Sequence, residues 1–424
     1  MLSEKVKVLI ASVMAVVITV GIARFAYTPM IPEMMSGAGM NNALAGMLAT
    51  ANYAGYFSGA LLISFIRSSG LKIWLYKAGL LGAVLTTGLM GCTSQEWLWY
   101  LLRFLSGLSS SAGVLIGAGL LMSWLLRQGH KPELGIFFSG LGIGIVMTAL
   151  LAEMIRLRFS WDQQWMIYGF SALILLLPVW WWSPDYRRCL PASAAAPTYE
   201  ARRISPFMLL LQLAYFCAGV GYVVTATFLV AIAEASPLLE GRGWLIWLVT
   251  GIAAAPACWL WDLLVRRQGD WLALLLAYLL NAASVLLLLM TTGLAGVMLS
   301  AIIYGVSFIG IVSMTLAMVG RLYPENPSRP MGRLTFGYGI AQMLAPMIVG
   351  YLAQSEGSYQ SGLLITLVVI IVGAVLLVGA WLVQQQGMEP DDTAQSSVDV
   401  LDYEGRCGRP VATRRDSASG TEFS

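Results

Sequence analysis

An all-α integral membrane protein, with twelve spanning helices in two pseudo-symmetric six-helix bundles, is the fold class this sequence predicts. Three observations carry the prediction. Of the 424 residues, 58% are hydrophobic and only 11% are charged, whereas a soluble chain carries about 25% charged residues. Apolar runs approaching the ~20 residues needed to cross a bilayer recur along the whole chain. Basic residues crowd every second break between these runs, the signature of loops held on one side of a membrane.

The spans centre near Val17, Tyr56, Val84, Val114, Gly144 and Leu173, and then near Gly219, Ala253, Asn281, Ser307, Gln342 and Val369. The first follows Lys5 and Lys7 and so resembles a signal peptide. Its apolar run continues to about Met30 without an A-x-A cleavage site, which predicts a retained span. Short breaks with turn chemistry separate the spans, among them "RSSGLK", "RQGHKP", "RRQGD" and "YPENPSRP". The longest break follows span six and divides the chain into equal sets. The expected organisation is a first bundle over 1–183, a central loop over 184–205, a second bundle over 206–384 and a disordered tail over 385–424. The tail holds too little apolar surface to offset the entropy of ordering it. With the N-terminus inside, sixteen Lys and Arg residues fall on the cytoplasmic side and only Arg156, Arg158 and Arg242 on the other. Both termini are therefore expected in the cytoplasm, in a multi-pass protein of the inner membrane.

Several functions are disfavoured by composition. The five cysteines are scattered with no C-x-x-C pair, and His130 is the only histidine, so neither a disulfide framework nor a metal site is expected. No G-x-x-x-x-G-K-[ST] loop offers direct ATP drive. No serine–histidine pair or clustered acids within the spans suggest an enzyme. No cofactor and no nucleic-acid partner are expected.

Two cations stand inside apolar spans: Arg24 in "GIARFAYTPMIPEMM" and Arg103 in "WLWYLLRFLSG". Glu33 and Glu96 mark the outer edges of these antiparallel spans, so the two arginines lie nine and seven residues deep, or ~10–14 Å. An arginine in hydrocarbon costs at least ~2.5–3.5 kcal/mol on insertion scales. Two readings offset that cost: a shared positive pocket facing a wet cleft, or separate pins that bond helix backbones. Glu153 is the nearest acid, and a local pair with Arg156 is its simpler role. The uncharged spans seven and ten carry Gln212, Tyr215, Tyr222, Thr225, Tyr304 and Ser307, groups suited to a cleft with a few placed hydrogen bonds. "GYFSG", "GVLIG" and "GLGIG" have the spacing of close helix packing.

Twelve spans in two sets of six, joined by a longer cytoplasmic loop, resemble the major facilitator superfamily. That family's loop pattern G-x-L-x-D-x-x-G-R is met in part by "GALLISFIR", which keeps Gly59, Leu61 and Arg67 but has Ile63 for the acid and Ile66 for the second glycine. "WDLLVRR" after span eight keeps Asp262, Arg266 and Arg267. The resemblance implies that Arg67, Asp262 and Arg266 help hold a cytoplasmic gate shut. The family's R-x-x-x-G pattern in span four falls on Arg103 and Gly107, and implies a part for Arg103 in substrate or proton coupling. Span five lacks the Gly-Pro step of drug/proton antiporters. More narrowly, "GIARFAYTPMIP", "ANYAGYFSGALL", "FSGLGIGI" and "RLTFGYGIAQMLAP" look like the YbfB/YjiJ-type subgroup.

The function expected is secondary transport of a small organic solute of anionic character by alternating access, coupled to protons. Arg24 and Arg103 would attract it, while Tyr27, Gln212, Tyr215, Tyr304 and Gln342 shape the pocket. The partners expected are the substrate, the bilayer and the coupling proton, around a monomer. A multidrug-type exporter of amphiphiles and a non-transporting sensor or scaffold are the alternatives.

Overall fold

The computed structural model describes residues 3–66, 68–130, 134–184, 186, 205–237, 239–291, 293–323 and 328–386. The expected central loop and tail fall almost wholly outside these, as does Arg67. The described chain is nearly all helical and forms twelve rods. The first half comprises α1 (Glu4–Ala38), α2 (Asn42–Phe65), α3 (Ser69–Cys92), α4 (Glu96–Arg127), α5 (Leu134–Arg156) and α6 (Trp161–Trp182). The second comprises α7 (Pro206–Glu234), α8 (Gly243–Ala254 with Ala257–Gln268), α9 (Asp270–Met290), α10 (Leu294–Leu322), α11 (Ser328–Glu356) and α12 (Gln360–Gln385).

Ten of these rods are long and apolar enough to span a membrane, and α8 makes an eleventh if its two pieces, bent by 42°, count as one. The bend falls at Pro256, whose missing N–H and ring clash break the ladder. The twelfth rod, α2, has the length but not the apolarity, because its polar side chains are spent on neighbouring helices. Asn52 Nδ2 donates to the Arg103 carbonyl at 3.0 Å, and Thr50 Oγ1 donates to the Met343 carbonyl at 2.7 Å.

Local chemistry sets the helix ends. Ser3, Asn41 and Ser205 side chains accept from Val6, Leu44 and Met208 N–H groups, each satisfying a donor the first turn leaves free. Ser160 and Gln163 form a capping box at the start of α6. Gly39, at φ 69°, turns the chain out of α1.

The glycine pairs are packing seams. A Cβ on Gly55 would lie 1.9 Å from the Phe104 carbonyl oxygen, and one on Gly107 would lie 1.8 Å from that of Asn52. Gly144 likewise meets the backbone of Gly21. Gly107→Ala is therefore expected to destabilise the protein by about 1–3 kcal/mol through overpacking. Gly119→Ala, with nothing within 4 Å of its Cβ, should leave the detergent melting temperature unchanged.

The halves meet along α2–α11 and α5–α8. The hydrogen bonds crossing between them, among the described residues, lie at mid-depth or toward the face away from the chain ends. Thr28 Oγ1 donates to the Ala226 carbonyl at 2.7 Å, Asn42 N donates to Gln354 Oε1 at 3.1 Å, and Tyr359 Oη donates to Asn42 Oδ1 at 2.5 Å. The protein is held closed on that face.

Candidate substrate site

The site is built on an irregularity in α1. Residues Val17–Phe25 are π-helical, a wider turn that shifts the phase of every later side chain and recurs at functional positions. Three side chains of α4 reach its carbonyls. Arg103 Nη1 and Ser106 Oγ donate to the Ala23 carbonyl at 3.0 and 2.8 Å, and Ser110 Oγ donates to that of Thr19. The guanidinium of Arg103 also lies 4.3 Å above the Tyr27 ring. Arg103 thus stitches α4 to α1, as the pin reading holds, with only its Nε buried and without a partner.

Arg24 is held differently. It is 8% exposed, and its Nε and Nη2 are buried with no hydrogen-bond partner. Its guanidinium lies 4.1 Å above the Tyr53 ring, 5.2 Å from that of Tyr56 and 6.0 Å from that of Tyr222. Tyr53 and Tyr56 come from α2 of the same half and Tyr222 from α7 of the other. Cation–π contact in a desolvated site contributes ~2 kcal/mol or more, while each buried unpaired donor costs ~1–3 kcal/mol. The aromatic cage therefore holds the cation while leaving its Nε and Nη2 without a partner.

From Tyr222 a ladder of rings runs through the second half. Tyr215 stacks on Tyr338 at 4.5 Å, Tyr222 on Phe308 at 5.3 Å, and Tyr304 on Phe308 at 5.0 Å. Tyr304 Oη donates to the Tyr222 carbonyl at 2.8 Å. Phe25 meets the ring of Trp247, whose indole N–H is buried and unpartnered. Arg24 and Trp247 present free donors where the two halves join, which is the environment an acceptor-rich solute needs.

Of the residues expected in the pocket, Arg24, Tyr215 and Tyr304 belong to this assembly or its ladder. Tyr27 supports Arg103, and its hydroxyl is used on the Ala45 carbonyl at 2.8 Å. Gln342 is buried one turn above Tyr338, and Gln212 is half-buried beside Gly337. Asp262 and Arg266 are exposed, one turn apart on the second piece of α8. Sequence reasoning missed Tyr53, Tyr56 and Tyr338. The i, i+3 spacing of Tyr53 and Tyr56, opposite a lone buried cation, was the available signal. Glu153 makes the local pair with Arg156, at 2.6 Å.

Long apolar rods around a central cation and aromatic wall define a polytopic membrane transport protein. The chain belongs to a family of the major facilitator superfamily, transporters rather than enzymes: the family model described as "Uncharacterised MFS-type transporter YbfB" matches residues 16–378. The nucleoside transporter NupG has the same fold, with a TM-score of 0.72 at 14% identity over 90% of this chain and 99% of that one. A bacterial homologue of the human lysosomal transporter Spinster, solved inward-facing and occupied, gives 0.67 at 14% identity over 90% and 97%. A curated relative, the steroid transmembrane transporter SLC22A24 of Rattus norvegicus, is 27% identical over 133 residues, 31% of this chain. This match spans 24% of that relative's length.

Proposed function

We propose that the protein is a secondary transporter that carries a small organic anion, bound at Arg24, by alternating access across a bacterial inner membrane. The observation that carries this reading is the pair of buried, unpartnered N–H groups on Arg24 in an aromatic cage shared by both halves. A carboxylate or phosphate there would take both donors in a bidentate pair. In low dielectric its attraction to the guanidinium is several-fold stronger than in water. The ring ladder from Tyr222 to Tyr304 favours a solute with an aromatic or flat apolar part.

The excess of basic residues on alternate breaks supports both chain ends lying in the cytoplasm. The protein works as a monomer, and the gradient that drives it is one of protons. Asp262 and Arg266, with Arg67 of the preceding half, take part in closing the cytoplasmic side when the other side opens.

The test is thermal stability of the purified protein against organic anions, neutral solutes and lipophilic cations, for the wild type and Arg24→Lys. An anion at 100 times its Kd should add ~2.7 kcal/mol of stability. Arg24→Lys keeps the charge but loses the fork, so it should weaken the response at least tenfold. Undiminished stabilisation by anions in the lysine variant would sink the assignment. Stabilisation by lipophilic cations alone would favour an exporter of amphiphiles, drawing on the ring ladder.

A further inference from the structure

A groove of about 430 Å³ runs along the outside of the first half, between α1 and α5 with α6 at its edge. Its α1 wall includes Val6, Ile10, Val13 and Val17, and its α5 wall includes Ile136, Ile143 and Met147. The seam beneath it is tight, because Gly140 meets Val16 and Gly144 meets Gly21. The side chains bordering that seam therefore stand up as two ridges. The groove's one hydroxyl, Ser139 Oγ, is turned onto the Ile136 carbonyl at 2.6 Å, so the lining has no free polar group.

Three features identify what fills it. The groove faces the bilayer on membrane-spanning helices, and Val6, Ile136 and Ile143 are exposed at 37%, 44% and 44%. Each wall covers twelve residues from first to last, eleven steps of 1.5 Å or ~16 Å. One leaflet of hydrocarbon is ~15 Å deep, half of the ~30 Å core. At the end near the N-terminus, Lys5 and Lys7 flank Val6 on the first turns of α1. They stand about 100° to either side of Val6 around the helix, and Glu4 lies on the far side, about 160° from Val6. The N-terminal end of the helix dipole adds to this positive field.

We infer that this groove is a binding site for one anionic phospholipid of the leaflet on the side of the chain ends. An acyl chain lies between α1 and α5, and the headgroup phosphate sits against Lys5 and Lys7. The lipid packs on the outer side of the helix whose π-helical segment positions Arg24, so it braces the element that holds the candidate site. The site is separate from the one at Arg24 and does not depend on the identity of the transported solute.

Native mass spectrometry of the delipidated full chain, titrated with dioleoylphosphatidylglycerol or dioleoylphosphatidylcholine, tests the inference. One phosphatidylglycerol should bind at least tenfold tighter than phosphatidylcholine. Lys5→Gln/Lys7→Gln should remove that preference. Ile143→Trp, or Val6→Trp if the first folds poorly, should weaken both lipids at least tenfold, while Leu173→Trp, on the lipid-facing side of α6 outside the groove, should not. Equal binding of the two lipids by the wild type overturns the proposal. So does wild-type binding in the groove-filling variant, or competition by glycerol phosphate as strong as that of the whole lipid.

Discussion

Arg24→Met is expected to raise the melting temperature of the unliganded protein and to abolish transport, while Arg103→Met is expected to lower it. The two arginines look alike in the sequence, each a lone cation in an apolar span. Their surroundings differ in sign. Arg24 keeps two buried N–H groups without partners, and methionine would remove that cost while filling the space with a flexible apolar chain. After allowing for the lost cation–π contact, a gain of about 1 kcal/mol is expected, the usual trade of stability for function at a binding site. Arg103 instead donates to the Ala23 carbonyl, a charge-assisted bond worth ~1.5–3 kcal/mol, and covers the Tyr27 ring. Its loss should cost about 2 kcal/mol. Differential scanning fluorimetry of both variants without ligand decides the matter. If both shift the same way, the distinction between a binding cation and a structural pin is wrong.

That distinction marks where the sequence stops being readable. The rods are legible because hydropathy is a local property, and α2 is the hardest to see because Thr50 and Asn52 serve neighbouring helices rather than lipid. The depth of Arg24 and Arg103 follows from counting residues to Glu33 and Glu96. What separates their roles does not, because the π-helical turn over Val17–Phe25 has no residue pattern that announces it. That turn sits where α4 brings Arg103, Ser106 and Ser110 onto α1 carbonyls, so it is a product of tertiary packing. The same holds for the aromatic cage. Tyr53 and Tyr222 come from different halves and meet edge to face at 6.5 Å, a contact about 170 residues apart in sequence that no local periodicity encodes. Tyr27 lies outside that cage. A tyrosine three residues from Arg24 invites a place in the pocket, yet its hydroxyl is taken by the Ala45 carbonyl.

The second large effect is expected at Gly46, where α2 crosses α11 on the closed face. A Cβ there would lie 2.2 Å from the Pro346 carbonyl oxygen and 3.1 Å from the Gly350 Cα. Unlike Gly107, whose neighbour Asn52 belongs to the same half, Gly46 abuts a helix of the other half. A side chain at Gly46 can therefore be relieved by moving the halves apart instead of distorting a bundle. Overpacking of about 1–3 kcal/mol then appears as a population shift of about 5–150-fold toward the state open on that face. Thr28, 3% exposed and bonded across the seam to Ala226, reports on it. In a background with the native cysteines replaced by serine, Thr28→Cys should react with a maleimide at least tenfold faster when Gly46→Leu is added. Gly107→Ala should lower the melting temperature and leave that rate alone. Unchanged labelling in the Gly46→Leu protein would mean that the α2–α11 seam does not move as a gate. The halves would then have to part by a route that keeps Gly46 against Pro346, with the crossing acting as a pivot.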